Sequence, residues 1–208
     1  MKYKNIIWDW NGTILDDALI FVDVMNSILS TKNLPHITLE QYQDNFDFPI
    51  SNYYNYLGIN DLDSYNDISN IFIKKYKKKI YVSKMMPGVF QLIKMFHKKK
   101  INQFILSASH KNILFKQTKY YKINYYMNQV IGLDNYFAKG KKEIGINWLK
   151  QSNFIKNECL YIGDTVYDYK ISLDMGIDSI MISKGHNSRH RLVEVGANVI
   201  DDFKEIIF

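Results

Sequence analysis

The feature that most restricts how this chain can fold is a regular alternation of strand-like and helix-like segments after about residue 85. The strand-like segments are rich in β-branched and aromatic residues, and the apolar residues of the helix-like segments recur at helical spacing. Strand-like segments lie at residues 101–106, 130–131, 159–162 and 179–182, and helix-like segments lie at residues 112–121, 142–151, 168–175 and 189–195. This alternation is typical of a parallel sheet with helices on both faces. We therefore predict an α/β fold.

The first 84 residues follow a different pattern. Residues 3–8 form one strand-like run, and residues 17–31, 39–46, 50–57 and 68–80 then have helical patterns with no convincing strand among them. Asp16 or Asp17 suits the N-cap of the first helix. The alternation begins at Met86-Pro87-Gly88, where Pro87 suits the first turn of a helix that runs to about residue 99. We predict that residues 1–15 and 85–208 form the α/β core and that residues 16–84 form an inserted all-helical domain.

The composition of the chain restricts the class of protein and the cellular compartment that we expect. Of the 208 residues, 47% are hydrophobic and 23% are charged, which is typical of a globular protein with a sizeable core. The single cysteine, Cys159, excludes an internal disulfide, and the N-terminal segment lacks the pattern of a secretory signal. No run approaches the roughly 18 apolar residues that a membrane span needs. We expect a soluble, cytoplasmic protein that has no membrane partner.

The formal net charge of +6 raises the question of a nucleic-acid partner. Only Arg189 and Arg191 among the 27 basic residues are arginines, although arginine is the side chain whose planar fork fits phosphates and base edges. The lysine runs at residues 74–79 and 98–100 therefore fit solvated helix faces. We expect no nucleic-acid partner, and we expect the positive field to attract a small anionic substrate.

Three of the strand-like runs end in polar, potentially reactive residues. Asp9 follows the first run, Ser107 follows residues 101–106, and Asp164 follows residues 159–162. Parallel strands carry functional residues at their carboxyl edge, so these three side chains are predicted to meet there. Each of them alone could be an ordinary turn or helix-capping residue. The coincidence of three favours a functional site.

The residues in this predicted site suit phosphoryl transfer. Asp9, at the end of a rigid strand, can act both as a Mg²⁺ ligand and as a nucleophile that forms an aspartyl-phosphate. Asp164 supplies a second hard oxygen ligand. Asp168 lies one helical turn further on, where it can orient Asp164 or a metal-bound water.

Small residues beside these carboxylates are candidates for holding phosphoryl oxygens. Gly12 and Thr13 form a turn whose backbone N–H groups can bind an anion. Ser107, followed by Ala108, can donate a hydroxyl hydrogen bond. We predict that these four residues form the phosphate-binding part of the site.

On these residues the chain resembles the haloacid dehalogenase (HAD) superfamily, specifically its phosphoglycolate-phosphatase-like branch with a helical cap after the first strand. The resemblance spans nearly the whole chain. The motifs that carry it are Asp9-x-Asn11-Gly12-Thr13, Ser107 after its strand, and Gly163-Asp164-x-x-x-Asp168.

The resemblance implies a Rossmann-like core, a Mg²⁺ cofactor and an aspartyl-phosphate intermediate on Asp9. It implies that the backbone carbonyl of Asn11 joins Asp9, Asp164 and Asp168 as a metal ligand. It also implies a lysine ahead of a helix that neutralises the nucleophile and the phosphate together. Lys141 is the best match for this lysine, and Lys139 and Lys142 are alternatives. Further similarity around Tyr53-Tyr54 and Gly185-His186 leaves open a substrate-facing role for Tyr53, Tyr54 or His186.

The chain departs from the family pattern at Asn11. Family phosphatases have an aspartate at this position, which protonates the leaving alkoxide and then activates water, and an amide has no proton to give in this way. General acid–base catalysis contributes about 10² to 10⁴ in rate. The protein could act on substrates with good leaving groups, recruit His110 or His186 as proton donor, or turn over slowly because a high rate is not needed.

Two further interpretations of Asn11 stay open. The chain could be a catalytically weak or inactive phosphoryl-binding or regulatory protein. Alternatively, Asn11-Gly12 is a deamidation-prone pair, and partial conversion to aspartate would restore the acid.

Other chemistry within the superfamily fits the chain less well. Dehalogenases need no metal, whereas Asp164 and Asp168 favour one. Phosphonoacetaldehyde hydrolase resembles the chain at Trp10, but no lysine lies near residues 48–50, where its Schiff-base lysine is expected. We predict a Mg²⁺-dependent phosphatase that acts on a small phosphorylated metabolite, with the metabolite and the oligomeric state left open.

Overall fold

The structure is a computed structural model that describes residues 2–59, 62–134 and 140–206. Among these residues it contains eight β-strands: β1 (Asn5–Trp8), β2 (Leu15–Asp16), β3 (Lys84–Met85), β4 (Asn102–His110), β5 (Gln129–Leu133), β6 (Cys159–Gly163), β7 (Asp178–Ile182) and β8 (Val199–Ile200).

The same residues contain nine α-helices: α1 (Ala18–Leu29), α2 (Leu39–Asn45), α3 (Ile50–Tyr56), α4 (Leu62–Tyr76), α5 (Val89–Lys98), α6 (Lys111–Tyr120), α7 (Lys141–Ser152), α8 (Val166–Met175) and α9 (Arg189–Glu194). Four short 3₁₀ helices lie at Ser30–Lys32, Asn124–Tyr126, Lys156–Glu158 and Phe203–Glu205. None of the helices in the described part of the chain is long and apolar enough to cross a membrane.

Six strands form one parallel sheet in the order β5-β4-β1-β6-β7-β8. The first strand of the chain, β1, lies in the middle of the sheet between β4 and β6. Parallel neighbours need crossover connections, and helices supply them on both faces. The predicted α/β class with a Rossmann-like parallel sheet is confirmed.

The side chains of β1 explain why the sheet is buried on both faces. Ile6 and Trp8 belong to one hydrophobic cluster, which also contains Phe96 of α5. Ile7 points the other way and belongs to a second cluster, with Leu149 of α7. A strand covered on both faces is apolar at consecutive positions, as β1 is from Ile6 to Trp8.

Helices α1 to α4 lie between β2 and β3 in sequence and have a core of their own, which includes Met25, Leu29, Tyr42 and Ile68. We call these four helices the helical insert. The predicted helical insertion is confirmed. The strands β2 and β3 form an antiparallel pair, in which Leu15 faces Met85. We propose that this pair marks the boundary between core and insert, close to the predicted limits at residues 16 and 84.

Several predicted bounds were wrong. The strands β2, β3 and β8 were not predicted, because each has two residues, which is too short for a period-2 pattern to be recognised. The helix predicted at residues 68–80 ends at Tyr76, because residues 77–82 form turns. Pro87 lies before Gly88, the N-cap of α5, and not in its first turn. The strand β4 continues to His110 through an irregularity after Leu106.

Candidate active site

The candidate site lies at the carboxyl edge of the central strands. Asp9 directly follows β1 and Asp164 directly follows β6, and these two strands are neighbours in the sheet. The backbone N–H of Asp9 donates to the carbonyl of Ile162, 2.8 Å away, which keeps the end of β1 in register with β6. Ser107 lies in β4, the other neighbour of β1. The topology therefore brings together the three residues that the sequence singled out, although Ser107 lies within β4 and not at its end.

Three carboxylates form one buried cluster at this edge. One carboxylate oxygen each from Asp9, Asp164 and Asp168 lie within 4.8 Å of one another. The exposed fractions of these residues are 6%, 0% and 1%. Hard oxygen ligands at this spacing are suited to Mg²⁺. The three residues can therefore hold a divalent cation.

Asp164 is held by two donors. The hydroxyl of Thr13 donates to Oδ1 at 2.6 Å, and the backbone N–H of His186 donates to Oδ2 at 2.7 Å. Glycine is required on both sides of this carboxylate, since a Cβ on Gly12 or Gly185 would lie 2.1 or 2.2 Å from Asp164 Oδ2. Gly12 also has a positive φ of 73°. The predicted turn thus serves to position Asp164.

Asp168 completes the cluster from the first turn of α8. It forms a capping box with Thr165, whose hydroxyl donates to Asp168 Oδ2 at 2.6 Å. Its Oδ1 accepts from the Tyr161 hydroxyl at 3.1 Å. The backbone N–H of Asp164 also donates to Oδ2, at 3.3 Å. Asp168 therefore orients Asp164 through the backbone.

Lys141 is the first residue of α7, and it is 3% exposed. Its Nζ donates to Asp9 Oδ1 at 2.5 Å and to Asp168 Oδ1 at 2.6 Å. Of the alternatives, Lys142 pairs with Asp174 at 2.7 Å on the outer surface, and Lys139 lies outside the described residues. Lys141 is thus the lysine in contact with the carboxylate cluster.

Burial dominates the electrostatics of the cluster. Burial raises the pKa of Asp9 to about 8, because attraction by Lys141 offsets it only in part and the other carboxylates add repulsion. Burial also raises the pKa of Asp164 to about 6. Burial alone would raise the pKa of Asp168, but Lys141 holds it below its usual value. For Lys141, burial alone would lower the pKa, but Asp168 and Asp9 raise it well above the usual value. The cluster has more carboxylates than Lys141 can neutralise.

The side chain of Asn11 forms hydrogen bonds with residues outside the carboxylate cluster. Its Nδ2 donates to Asp17 Oδ2 at 2.5 Å and to the Tyr76 hydroxyl at 2.9 Å. Its Oδ1 accepts from the Ser109 hydroxyl at 2.7 Å. Because an ionised carboxylate can only accept, the amide nitrogen must face Asp17. Asn11 thus links the core to the insert through Asp17 and Tyr76.

Asp17 was not recognised as a site residue from the sequence. It occupies the N-cap position of α1, one of the two predicted, but its side chain does not cap the helix. It is 1% exposed and accepts from the backbone N–H of Gly12 at 2.9 Å and from the Tyr76 hydroxyl at 2.9 Å. The N–H that was predicted to bind phosphate at Gly12 is therefore engaged by Asp17. No sequence pattern connects Asp17 with Tyr76, since 59 positions separate them.

His186 lies beside Gly12 in the loop after β7. Its Nδ1 contacts the Tyr42 hydroxyl at 2.8 Å, and its Nε2 lies 3.3 Å from Asp17 Oδ1 without a well-aligned hydrogen bond in the described structure. Burial alone would lower the pKa of His186, but Asp17 raises it. His110, the other candidate donor, caps α6 by accepting from the Asn112 N–H at 3.2 Å.

A cavity of about 140 Å³ separates the carboxylate cluster from the helical insert. Asp9 and Lys141 lie at its core end, together with Ser107 and Ala108 of β4. The hydroxyl oxygen of Ser107 accepts from the backbone N–H of Ser109 at 3.1 Å. The predicted phosphate-binding residues of β4 therefore face the same space as the predicted nucleophile.

Comparison with known proteins agrees with this architecture. The family model described as haloacid dehalogenase-like hydrolase matches residues 6–182. A haloacid dehalogenase-like hydrolase from Bacteroides fragilis superposes with a TM-score of 0.85 at 16% identity, over 99% of this chain and all of the other. A haloacid dehalogenase-like family protein from Streptococcus pneumoniae gives 0.81 at 17% identity, over 98% of this chain and 96% of the other. At these identities the two structures support the fold alone.

Curated relatives extend the similarity. The phosphoglycolate phosphatase of Aliivibrio fischeri is 20% identical over 98% of this chain and 95% of its own length. The phosphoglycolate phosphatase of Pseudomonas savastanoi pv. phaseolicola is 20% identical over 98% of this chain and 78% of its own length. The family match and these relatives confirm the predicted enzyme class, a hydrolase of the phosphatase type. The chain therefore belongs to the haloacid dehalogenase-like hydrolase family, in which it is similar to phosphoglycolate phosphatases.

Proposed function

We propose that this hydrolase is a Mg²⁺-dependent phosphatase that cleaves a small phosphate ester, with Asp9 as the nucleophile. The observation that carries the proposal is the contact between Lys141 Nζ and Asp9 Oδ1 at 2.5 Å, inside a buried carboxylate cluster that borders a cavity. A buried lysine beside a carboxylate and a cation site is suited to binding a doubly charged phosphoryl group. The phosphatases among the relatives support the same reaction class.

The residues of the cluster fit Mg²⁺. Three carboxylates and one ammonium group leave a negative excess when all are ionised, and burial makes that excess costly without a cation. Asp9 and Asp164 would hold the ion, with the backbone carbonyl of Asn11, while Asp168 would support it through Asp164 and Lys141. When bound, Mg²⁺ would offset negative charge on the transferring phosphoryl group.

The residues of the chain then have separate roles. A carboxylate oxygen of Asp9 attacks phosphorus, the bond from phosphorus to the ester oxygen breaks, and the leaving alkoxide takes a proton from water, because Asn11 has none to give. Lys141 and Ser107 hold the transferring oxygens, with Ala108 beside them. The turn at Gly12-Thr13 already donates to Asp17 and Asp164, and it therefore acts by positioning these carboxylates. Water then attacks phosphorus, which releases inorganic phosphate and frees Asp9. The helical insert would close over the cavity and exclude bulk water.

The side chain of Asn11 favours a second candidate function, a phosphoryl-binding protein with little or no turnover. Its amide is engaged by Asp17, Tyr76 and Ser109, and it has no proton to give to a leaving alkoxide. Deamidation would require attack by the backbone nitrogen of Gly12, whose N–H is already donated to Asp17. We therefore expect Asn11 to persist as asparagine.

The test is phosphate release from p-nitrophenyl phosphate and acetyl phosphate, with and without Mg²⁺. We expect Mg²⁺-dependent turnover that Asp9→Asn abolishes and that Lys142→Ala, a substitution at an outer-surface ion pair, leaves unchanged. Acid quenching during turnover of acetyl phosphate, followed by peptide mass spectrometry, should locate the phosphoryl group on Asp9. If the protein binds Mg²⁺ and phosphate but turns over neither substrate, the phosphatase proposal is wrong and the second candidate, a phosphoryl-binding protein, is supported.

A further inference from the structure

The insert side of the cavity is almost entirely apolar. It carries the rings of Phe21, Phe46, Phe48 and Phe72, and among the lining residues that the described insert contributes, only Ser69 is neither aromatic nor aliphatic. Phe21 and Phe72 pack at a tilted angle with ring centroids 5.1 Å apart, and Phe46 stacks on Tyr42 with centroids 4.9 Å apart. Such a lining excludes water from whatever part of a substrate lies beyond the phosphoryl group.

Among the lining residues that the structure describes, the insert contributes no lysine or arginine. Lys141 is the only lysine or arginine in the described lining, and it already contacts the carboxylates of Asp9 and Asp168. The imidazole of His186 lies against Asp17. A carboxylate on the leaving group would therefore be desolvated among the rings of the insert, with no lysine or arginine of the described insert to pair with it, which costs far more than burial of a neutral group. The lining is thus poorly suited to the glycolate portion of phosphoglycolate.

Within the described part of the insert, one buried side-chain polar atom has no hydrogen bond. The hydroxyl of Tyr53 is buried with no hydrogen bond among the described residues, although Tyr53 lines the cavity and is 1% exposed. The hydroxyls of three other lining tyrosines all have partners: Tyr42 contacts His186, Tyr54 contacts Ser69, and Tyr76 donates to Asp17. A buried hydroxyl without a partner is costly, and a ligand group can satisfy it.

We infer that the substrate is a phosphate monoester whose alcohol carries one neutral ring with a hydrogen-bonding group that reaches the Tyr53 hydroxyl. The inference rests on the proposed phosphatase function and names the class of its substrate. The cavity of about 140 Å³ also holds the phosphoryl group, so it leaves room for no more than one ring, since an apolar cavity of about 150 Å³ admits benzene. Aromatic edges and faces around such a ring add to the gain from its burial.

The first experiment compares esters that all release an alkoxide. We expect kcat/KM for benzyl phosphate to exceed that for 2-phosphoglycolate and for ethyl phosphate by about tenfold or more. Phosphocholine tests the alternative that the rings hold a cationic group. A preference for 2-phosphoglycolate, ethyl phosphate or phosphocholine over benzyl phosphate would overturn the inference and leave the phosphatase proposal intact.

The second experiment isolates the Tyr53 hydroxyl. We expect 3-hydroxybenzyl phosphate to be a better substrate than benzyl phosphate by about threefold to tenfold, and Tyr53→Phe to remove this advantage. The matched control is Tyr56→Phe, on the same helix, because Tyr56 is 49% exposed and does not line the cavity. An advantage that persists in Tyr53→Phe would refute the assigned hydrogen bond.

Binding separates the two proposals if no ester is hydrolysed. Calorimetry with Mg²⁺ present would measure the affinities for benzylphosphonate and phosphonoacetate, neither of which can be cleaved as an ester. We expect benzylphosphonate to bind about tenfold or more tightly than phosphonoacetate. This preference without turnover would support the ring site and refute the phosphatase. Equal or reversed affinities would refute the ring site.

Discussion

Replacing Asn11 by the aspartate typical of family phosphatases should destabilise this protein, because the structure gives Asn11 a bonding role that a carboxylate reverses. The amide of Asn11 donates to Asp17 Oδ2 at 2.5 Å and to the Tyr76 hydroxyl at 2.9 Å. In Asn11→Asp, a carboxylate oxygen would replace the amide nitrogen and would face the carboxylate of Asp17. Asp17 is only 1% exposed. Two facing carboxylates in such a place cannot both stay ionised without a large penalty.

The size of the penalty follows from the distance. Two unit charges 2.5 Å apart repel by about 7 kcal/mol at an effective dielectric constant of about 20. The protein can avoid this by protonating one carboxyl group, which costs about 4 kcal/mol at pH 7 for a group with an ordinary pKa near 4. The shared proton restores a hydrogen bond between the pair and recovers part of this cost. We expect Asn11→Asp to lower the free energy of unfolding by about 3 to 4 kcal/mol at pH 7.

The loss should depend on pH with a definite sign. The folded variant would hold about one proton more than its unfolded chain between pH 5 and pH 7, so its stability falls as the pH rises. Relative to the wild type, the variant should regain about 1.4 kcal/mol for each pH unit on going from pH 7 to pH 5.

Denaturant unfolding at pH 5 and pH 7 measures this for four proteins: the wild type, Asn11→Asp, Asp17→Asn, and the double variant. The double variant exchanges donor and acceptor and restores the hydrogen bond, so we expect a coupling energy of about 2 kcal/mol or more. Both variants with Asp17→Asn lose the contact with His186, and the cycle cancels that loss. A single variant Asn11→Asp with wild-type stability and wild-type pH dependence would refute the assigned contact.

Three further outcomes follow from the site. Asn11→Asp should raise the rate of hydrolysis of benzyl phosphate more than that of acetyl phosphate, because only an alkoxide leaving group needs a proton from the new carboxyl group. Equal gains on both substrates would contradict proton donation from position 11. Mg²⁺ binding at pH 7 should release about one proton, since the pKa of about 8 keeps Asp9 protonated without the ion. Calorimetry in buffers of different ionisation heat would detect this proton, and its release should shrink above pH 8. No proton release at pH 7 would count against Asp9 as a ligand. Lys141→Ala should lower the free energy of unfolding by about 3 to 5 kcal/mol, because it breaks a buried ion pair. Lys142→Ala should lower it by about 1 kcal/mol or less, because the partner Asp174 is exposed. Equal losses in denaturant unfolding would contradict the buried pairing of Lys141.

The sequence was most informative where local pattern and sheet topology act together. The apolar run before Asp9 predicted a strand of the α/β core, and β1 lies inside the sheet between β4 and β6. Because the carboxyl ends of parallel strands share one edge, the sequence predicted that Asp9 and Asp164 meet there. That β1 and β6 are neighbours came only from the structure. The choice of Lys141 needed the family resemblance, since three lysines stand within four positions of one another.

The contacts between the core and the helical insert were decided only by the tertiary structure. Asp17 had the pattern of an ordinary helix cap, yet folding brings Tyr76, 59 positions away, to its carboxylate and turns the amide of Asn11 toward it. Likewise, the aromatic residues of the insert had the helical spacing of core residues, and nothing in that spacing indicated that Tyr53 would face a cavity with its hydroxyl unpaired. The hydrophobic periodicity and the composition of the sequence indicate which side chains are buried. The orientation of packed helices determines what each buried polar atom meets, and that information is not local in the chain.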